Sequence, residues 1–241
     1  MLRKCRFSSD HFYFQSLYHR DMMNKGDEKM KNETTEMVLI LDRSGSMTGL
    51  ESDTIGGFNS MIAKQKALEG SCRVTTVLFD NIYELLHDRI DIQGVNPITT
   101  KEYFTRGSTA LLDAIGFSIQ KIKNVQDRSA DGFQAEKVIF VIITDGMENA
   151  SREYTLAKVK SLIEEQKNKH NWEFIFIGAN IDAIQTASQF GISANRAVNY
   201  VPDSHGTQMN FMSMHQAVAN FRNFGKVNDS DLDEIRKDHN K

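Results

Sequence analysis

The sequence predicts an α/β domain: a mostly parallel six-stranded sheet in the order 3-2-1-4-5-6, with strand 3 antiparallel at the edge and helices on both faces. Short, largely apolar runs at residues 37–41 (MVLIL), 138–143 (VIFVII) and 173–177 (EFIFI) read as strands, the first two continuously apolar. Such runs alternate with segments whose apolar residues recur at helical spacing, the arrangement of right-handed crossovers between parallel strands. One hairpin signal, Asp80-Asn81 between two strand-like runs, makes a single edge strand antiparallel.

The first strand is followed by a Gly/Ser loop, and Ile55, Phe58, Ile62 and Leu68 then predict a helix over residues 54–68. Residues 73–79 (RVTTVLF) are β-branched and form strand two, and residues 82–87 form strand three across the tight turn. Pro97 marks a loop. From Thr109 onward Leu112, Ile115, Ile119 and Ile122 share a helical face, and a polar stretch over residues 124–137 leads into strand four. Thr155 can cap a helix that carries Leu156, Val159, Leu162 and Ile163 on one side. Strand five at 173–177 is followed by a short helix over 181–190, a strand near 197–200, and a last helix over 207–222 with Phe211, Met214, Val218 and Phe221. No internal repeat is visible.

Of the 241 residues, 40% are hydrophobic and 25% charged, ordinary for one water-soluble domain. A net charge of −3 without a Lys/Arg run gives no footprint for nucleic acid. Cys5 and Cys72 form no spaced pair, so neither a disulfide framework nor a zinc site is expected, and a reducing compartment follows. The run at 138–143 is too short to cross a bilayer, and no membrane association is expected. The first thirty residues lack a continuous apolar segment of the signal-peptide kind, and the expected location is the cytoplasm. The organisation expected is an extension over 1–34, disordered or preceding a later true start at Met22, Met23 or Met30, then a domain over 35–224 and a charged, mobile tail over 225–241.

In a sheet of this order, strands one and four are neighbours at the topological switch point, where ligands bind outside the carboxyl ends. There lie Asp42-Arg43-Ser44-Gly45-Ser46 after strand one and Thr144-Asp145-Gly146 after strand four, with Arg106-Gly107-Ser108-Thr109 at the mouth of a helix. Carboxylate and hydroxyl oxygens are hard ligands suited to Mg²⁺, Mn²⁺ or Ca²⁺, with Mg²⁺ favoured. Asp42 and Asp145 balance one divalent ion, while the hydroxyls of Ser44, Ser46 and Thr109 add no charge. A metal held this way stays electrophilic toward an outside carboxylate, which makes an Asp or Glu of a protein partner the natural last ligand. Met47, Arg106, Met147 and Glu148 would surround the ion and could read that partner, and Glu148 could fill the open position itself.

Asp42, Ser44 and Ser46, then Thr109, then Asp145 resemble the metal-ion-dependent adhesion site (MIDAS) of von Willebrand factor A domains, and residues 107–115 (GSTALLDAI) resemble that family's second loop and helix. The likeness extends over residues 35–200 in element order and is nearest to stand-alone bacterial members with Asp-Arg-Ser-Gly-Ser-Met. It implies a Rossmann-like three-layer fold and metal-dependent protein binding, as an adaptor in multi-protein assemblies that can include a separate ATPase chain.

Plainer readings stand beside this one. Residues 42–46 could be an Asx-type turn that caps the next helix, and Thr109 a simple N-cap. The seven histidines show no ligand spacing, Met209, Met212 and Met214 suit packing, and Asp113, one turn inside its helix, suits a supporting role rather than a ligand. A different class, a Mg²⁺-dependent phosphohydrolase with Asp42 as nucleophile, would want a second aspartate at position 44, where this chain has Ser44, and a nucleophile–base pair that the sequence does not offer. The expectation is therefore a binding module, not an enzyme.

Overall fold

The structure, a computed structural model, describes residues 34–179 and 181–239. The extension expected over 1–34 lies, except for Thr34, outside the described residues. The six strands are β1 (Thr35–Asp42), β2 (Cys72–Phe79), β3 (Tyr83–Asp91), β4 (Lys137–Thr144), β5 (Glu173–Gly178) and β6 (Ala197–Asn199). They form one sheet in the order β3-β2-β1-β4-β5-β6. Only the β2–β3 pair is antiparallel. The predicted order and the edge hairpin are both present.

The helices are α1 (Glu51–Lys66), α2 (Leu111–Arg128), α3 (Leu156–His170), α4 (Ala183–Gln189), α5 (Ser204–Phe224) and α6 (Asp233–His239). Side chains alternate across the strands, so each continuous apolar run feeds two cores. Met37, Leu39 and Leu41 of β1, with Ile139, Val141 and Ile143 of β4, pack on Phe58 and Met61 of α1 and on Phe211, Met214 and Val218 of α5. Val38, Ile40, Phe140 and Ile142 face the other way, onto Leu111, Ile115 and Ile119 of α2 and Val159 and Ile163 of α3. Phe140 lies in a stack between Trp172 and Phe174, at centroid distances of 5.5 and 4.9 Å.

Several boundaries differ from the sequence reading. Strand β3 runs on to Asp91, past the expected end at 87, because its register with β2 shifts on both sides of Thr76 and so absorbs irregular residues. Arg89 takes a positive φ of 50° within it. Helix α2 continues to Arg128, into the polar stretch at 124–137, and the Ser129 hydroxyl donates to the Val125 carbonyl at its end. Residues after Gly225 had been expected to form a charged tail. Instead, Val227, Leu232 and Ile235 are buried on the α1–α5 side, Asp231 is buried beside them and accepts from Asn220 Nδ2 and the Asn228 N–H, and Asp229 and Glu234 are exposed on a 3-10 turn and α6. Among the described residues no helix is long and apolar enough to cross a membrane.

Candidate metal centre

Strand β1 ends on Asp42, paired in register with Phe79, and its side chain is wholly buried. Asp42 Oδ1 accepts the Ser44 N–H at 2.7 Å, and Oδ2 accepts the Thr144 hydroxyl at 2.6 Å. The Asx turn of the plainer reading is thus present, and it orients the carboxylate at the sheet's carboxyl edge. Tyr103, itself fully buried, donates its hydroxyl to the Asp42 carbonyl at 2.6 Å.

Three loops converge on this point. The first and second are stitched together by Gly45 N–H to the Gly107 carbonyl (3.2 Å) and Arg106 N–H to the Arg43 carbonyl (2.9 Å). Gly107 has φ +69°, and a Cβ there would fall 2.1 Å from Asn81 Oδ1, so this turn needs glycine. The second and third loops are joined by Thr109 N–H to Asn149 Oδ1 (2.9 Å) and Asn149 N–H to the Thr109 carbonyl (3.0 Å).

The five sequence-predicted residues are neighbours. Thr109 Oγ1 donates to Ser44 Oγ at 3.0 Å, Ser44 Oγ and Ser46 Oγ lie 3.0 Å apart, and Ser46 Oγ donates to Asp145 Oδ1 at 2.5 Å. Thr109 is therefore no plain N-cap: Ala110 occupies the cap position of α2, and the threonine hydroxyl turns toward the serines. Gly146 shows how closely the groups converge. A Cβ on it would sit 2.8 Å from Thr109 Oγ1, 3.0 Å from Ser46 Oγ and 3.6 Å from Ser44 Oγ. Any side chain at position 146 would fill the space these hydroxyls face.

Burial pushes the Asp42 carboxyl up to about 6, helped by the charge of Asp145 and opposed by the Thr144 and Ser44 hydrogen bonds. Burial also raises Asp145, against the pull of Ser46. Asp145 Oδ2 is buried without a hydrogen-bond partner. The nearby arginines do not neutralise this pair, because both are committed elsewhere. Arg43 Nε and Arg106 Nε reach Asp80 Oδ2 at 3.0 and 2.7 Å, and Arg43 Nη2 reaches Glu84 at 2.7 Å. Among the described residues no three His, Cys, Asp or Glu side chains gather into a metal-binding group. The donors that do gather are two carboxylates and three hydroxyls. They suit a hard divalent cation by charge, by the orphaned Asp145 oxygen and by the space over Gly146.

The four residues expected to read a partner are placed differently from one another. Met147 is 71% exposed and Arg106 is partly exposed, so both reach the surface beside the site. Met47 is buried at 2% and belongs to the loop's interior. Glu148 does not turn into the site. Its oxygens accept Leu112 N–H, Ala150 N–H, Ser151 N–H and the Ser151 hydroxyl, so the carboxylate caps the start of α2 and shapes the third loop. Asp113 has the supporting role expected of it, accepting the backbone N–H groups of Arg152, Glu153 and Tyr154.

Sequence reasoning gave Thr144 and Tyr103 no role and missed the ion pairs that join Arg43, Asp80 and Arg106. Asp80 is a third aspartate at a strand end, but beside Asn81 it reads only as a turn residue.

No family model matches the chain, and the search of curated proteins gives no match. Among solved structures, the chain is similar to a von Willebrand factor type A protein from Catenulispora acidiphila (TM-score 0.54, 15% identity, 78% of this chain and 43% of that one). It is also similar to proximal thread matrix protein 1 of the mussel byssus (TM-score 0.51, 12% identity, 77% of this chain and 46% of that one). The chain thus spans less than half the length of either solved chain. At these identities the likeness is one of fold, and the fold is of the von Willebrand factor A type.

Proposed function

We propose that this chain is a divalent-metal-dependent protein-binding module, with Asp42, Ser44, Ser46, Thr109 and Asp145 forming a complete MIDAS. The observation that carries the reading is Asp145 Oδ2, a buried carboxylate oxygen left without a partner among three converging hydroxyls. Mg²⁺ fits this donor set best, and Mn²⁺ or Ca²⁺ would share its oxygen chemistry. When bound, the ion supplies a Lewis-acidic position for an outside oxygen. The chain's own residues hold the two compensating charges and leave the neutral hydroxyls to complete the shell. A partner's Asp or Glu would be the outside ligand, in an adaptor role within a multi-protein assembly.

Binding is favoured over phosphoryl transfer because both Asp42 oxygens already accept hydrogen bonds and position 44 is serine. That geometry supports a held carboxylate rather than a free nucleophile beside a general acid.

Calorimetric titration of metal-stripped protein with Mg²⁺ and Mn²⁺ tests the reading. Saturable binding in the native chain, weakened more than about tenfold in Asp145→Ala, is expected. Equal isotherms for the two proteins would overturn it.

A further inference from the structure

Beside the third loop lies a groove of about 250 Å³ walled by Leu111, Leu112, Met147, Leu156, Ile181 and Phe190. Leu111 and Phe190 form its buried base, while Met147 and Leu156 stand 71% and 39% exposed. Large apolar side chains exposed around a concavity mark a contact surface more often than a packing residue. Gly146 ties this groove to the metal centre. It lines the groove, and the hydroxyls of Ser44, Ser46 and Thr109 crowd over its Cα. Glu148, the only carboxylate on the groove wall among the described residues, is consumed by backbone and hydroxyl donors, so the groove has little spare charge to repel an apolar guest.

We propose that the groove receives an apolar side chain from the same partner segment whose carboxylate meets the metal centre. The recognised sequence is then an Asp or Glu with a Leu-sized residue two positions away. This rests on the metal-dependent reading above. Continuity through Gly146 argues for one occupant spanning both features. In an extended chain, side chains at i and i+2 project to the same side, which lets one segment fill the metal position and the groove together. The volume lies below the usual range for drug-sized ligand sites and suits a single side chain. Met147 at the rim can adapt to Leu, Ile, Met or Phe.

Two capped peptides test this against the full chain: acetyl-Leu-Gly-Glu-Gly-Leu-amide and its counterpart with serine in place of both leucines. Protein labelled at Met, Leu and Ile methyls is titrated with each peptide in Mg²⁺, then in EDTA. The leucine peptide is expected to bind about tenfold tighter than the serine peptide and to shift the methyls of Met147, Leu112, Leu156 and Ile181. Both peptides should lose binding in EDTA. Leu156→Gln should bring the leucine peptide down to the serine peptide's affinity while the Mg²⁺ isotherm is retained. Equal affinities in Mg²⁺ would overturn the groove assignment and leave the metal reading standing. Undiminished binding of the leucine peptide in EDTA would make the groove a separate surface and overturn the joint mode. Binding of neither peptide in Mg²⁺ would remove the carboxylate-capture reading, and this inference with it.

Discussion

Asp42 illustrates at one residue how a candidate binding site opposes folding. Its carboxyl is wholly buried and, in the metal-free protein, pushed from an ordinary 3.8 up to about 6 by desolvation. Between those values the folded chain holds a proton that the unfolded chain has released. Stability therefore falls as pH rises through roughly 4 to 6, and the full cost, on the order of 3 kcal/mol, remains above that window. Asp42→Asn removes the charge while keeping an acceptor for the Ser44 N–H and a polar group opposite Thr144. In chelator at pH 7.5 the variant is expected to melt at a higher temperature than the native chain, by several degrees, and to show no stabilisation by Mg²⁺. A lower melting temperature in chelator would mean that Asp42 serves the fold rather than a cation. Asp145 shares the predicament, with one oxygen bonded to Ser46 and the other without a partner.

At the scale of elements, α1 packs against α5, and Gly57 lies at the contact. A Cβ there would lie 2.1 Å from Phe211 Cδ2, against a ring that is 4% exposed. Gly57→Ala gains up to about 1 kcal/mol of helix propensity but forces the ring or the helix aside, a cost of roughly 1–3 kcal/mol. Chemical denaturation should show a net loss, and adding Phe211→Leu should restore most of it. Loss of stability unchanged by the second substitution would place the strain elsewhere. The need for glycine at position 57 does not show in the sequence, because the side chain that requires it, Phe211, lies on a distant helix. The strands, by contrast, were legible. Burial on both faces leaves no polar alternation to misread, so β1, β4 and β5 appear directly as apolar runs. Strand β3 was legible only in part, since its far half, with Asp88 and Asp91, carries exposed polar residues and an irregular register.

For the whole molecule, the sheet brings three loops from distant parts of the chain to one edge, and a buried ionic group fixes their spacing. Asp80 is fully buried, bonds both Arg43 and Arg106, and accepts the Ala110 N–H through its carbonyl. It thereby links the loop after β1 to the loop that carries Thr109. Removing one member of such a group leaves uncompensated buried charge and is strongly destabilising. Sequence showed which five side chains converge, because each sits at a recognisable strand end or helix mouth. It did not show what supports them, because Arg43, Tyr103 and Glu148 find their partners only once the loops have met. The last segment was misread for a similar reason. Val227, Leu232 and Ile235 are too widely spaced among charges to show a face until the sheet provides one.

The central claim is that one divalent cation sits among Asp42, Ser44, Ser46, Thr109 and Asp145. A crystal of the full chain soaked in MnCl₂, with anomalous data collected for manganese, tests it most directly. One strong anomalous peak bounded by those five side chains, adjacent to Gly146 and absent in Asp145→Ala crystals treated alike, is expected. Manganese found only at surface carboxylates, with Asp145 still bonded to Ser46 and its other oxygen still buried without a partner, would contradict it.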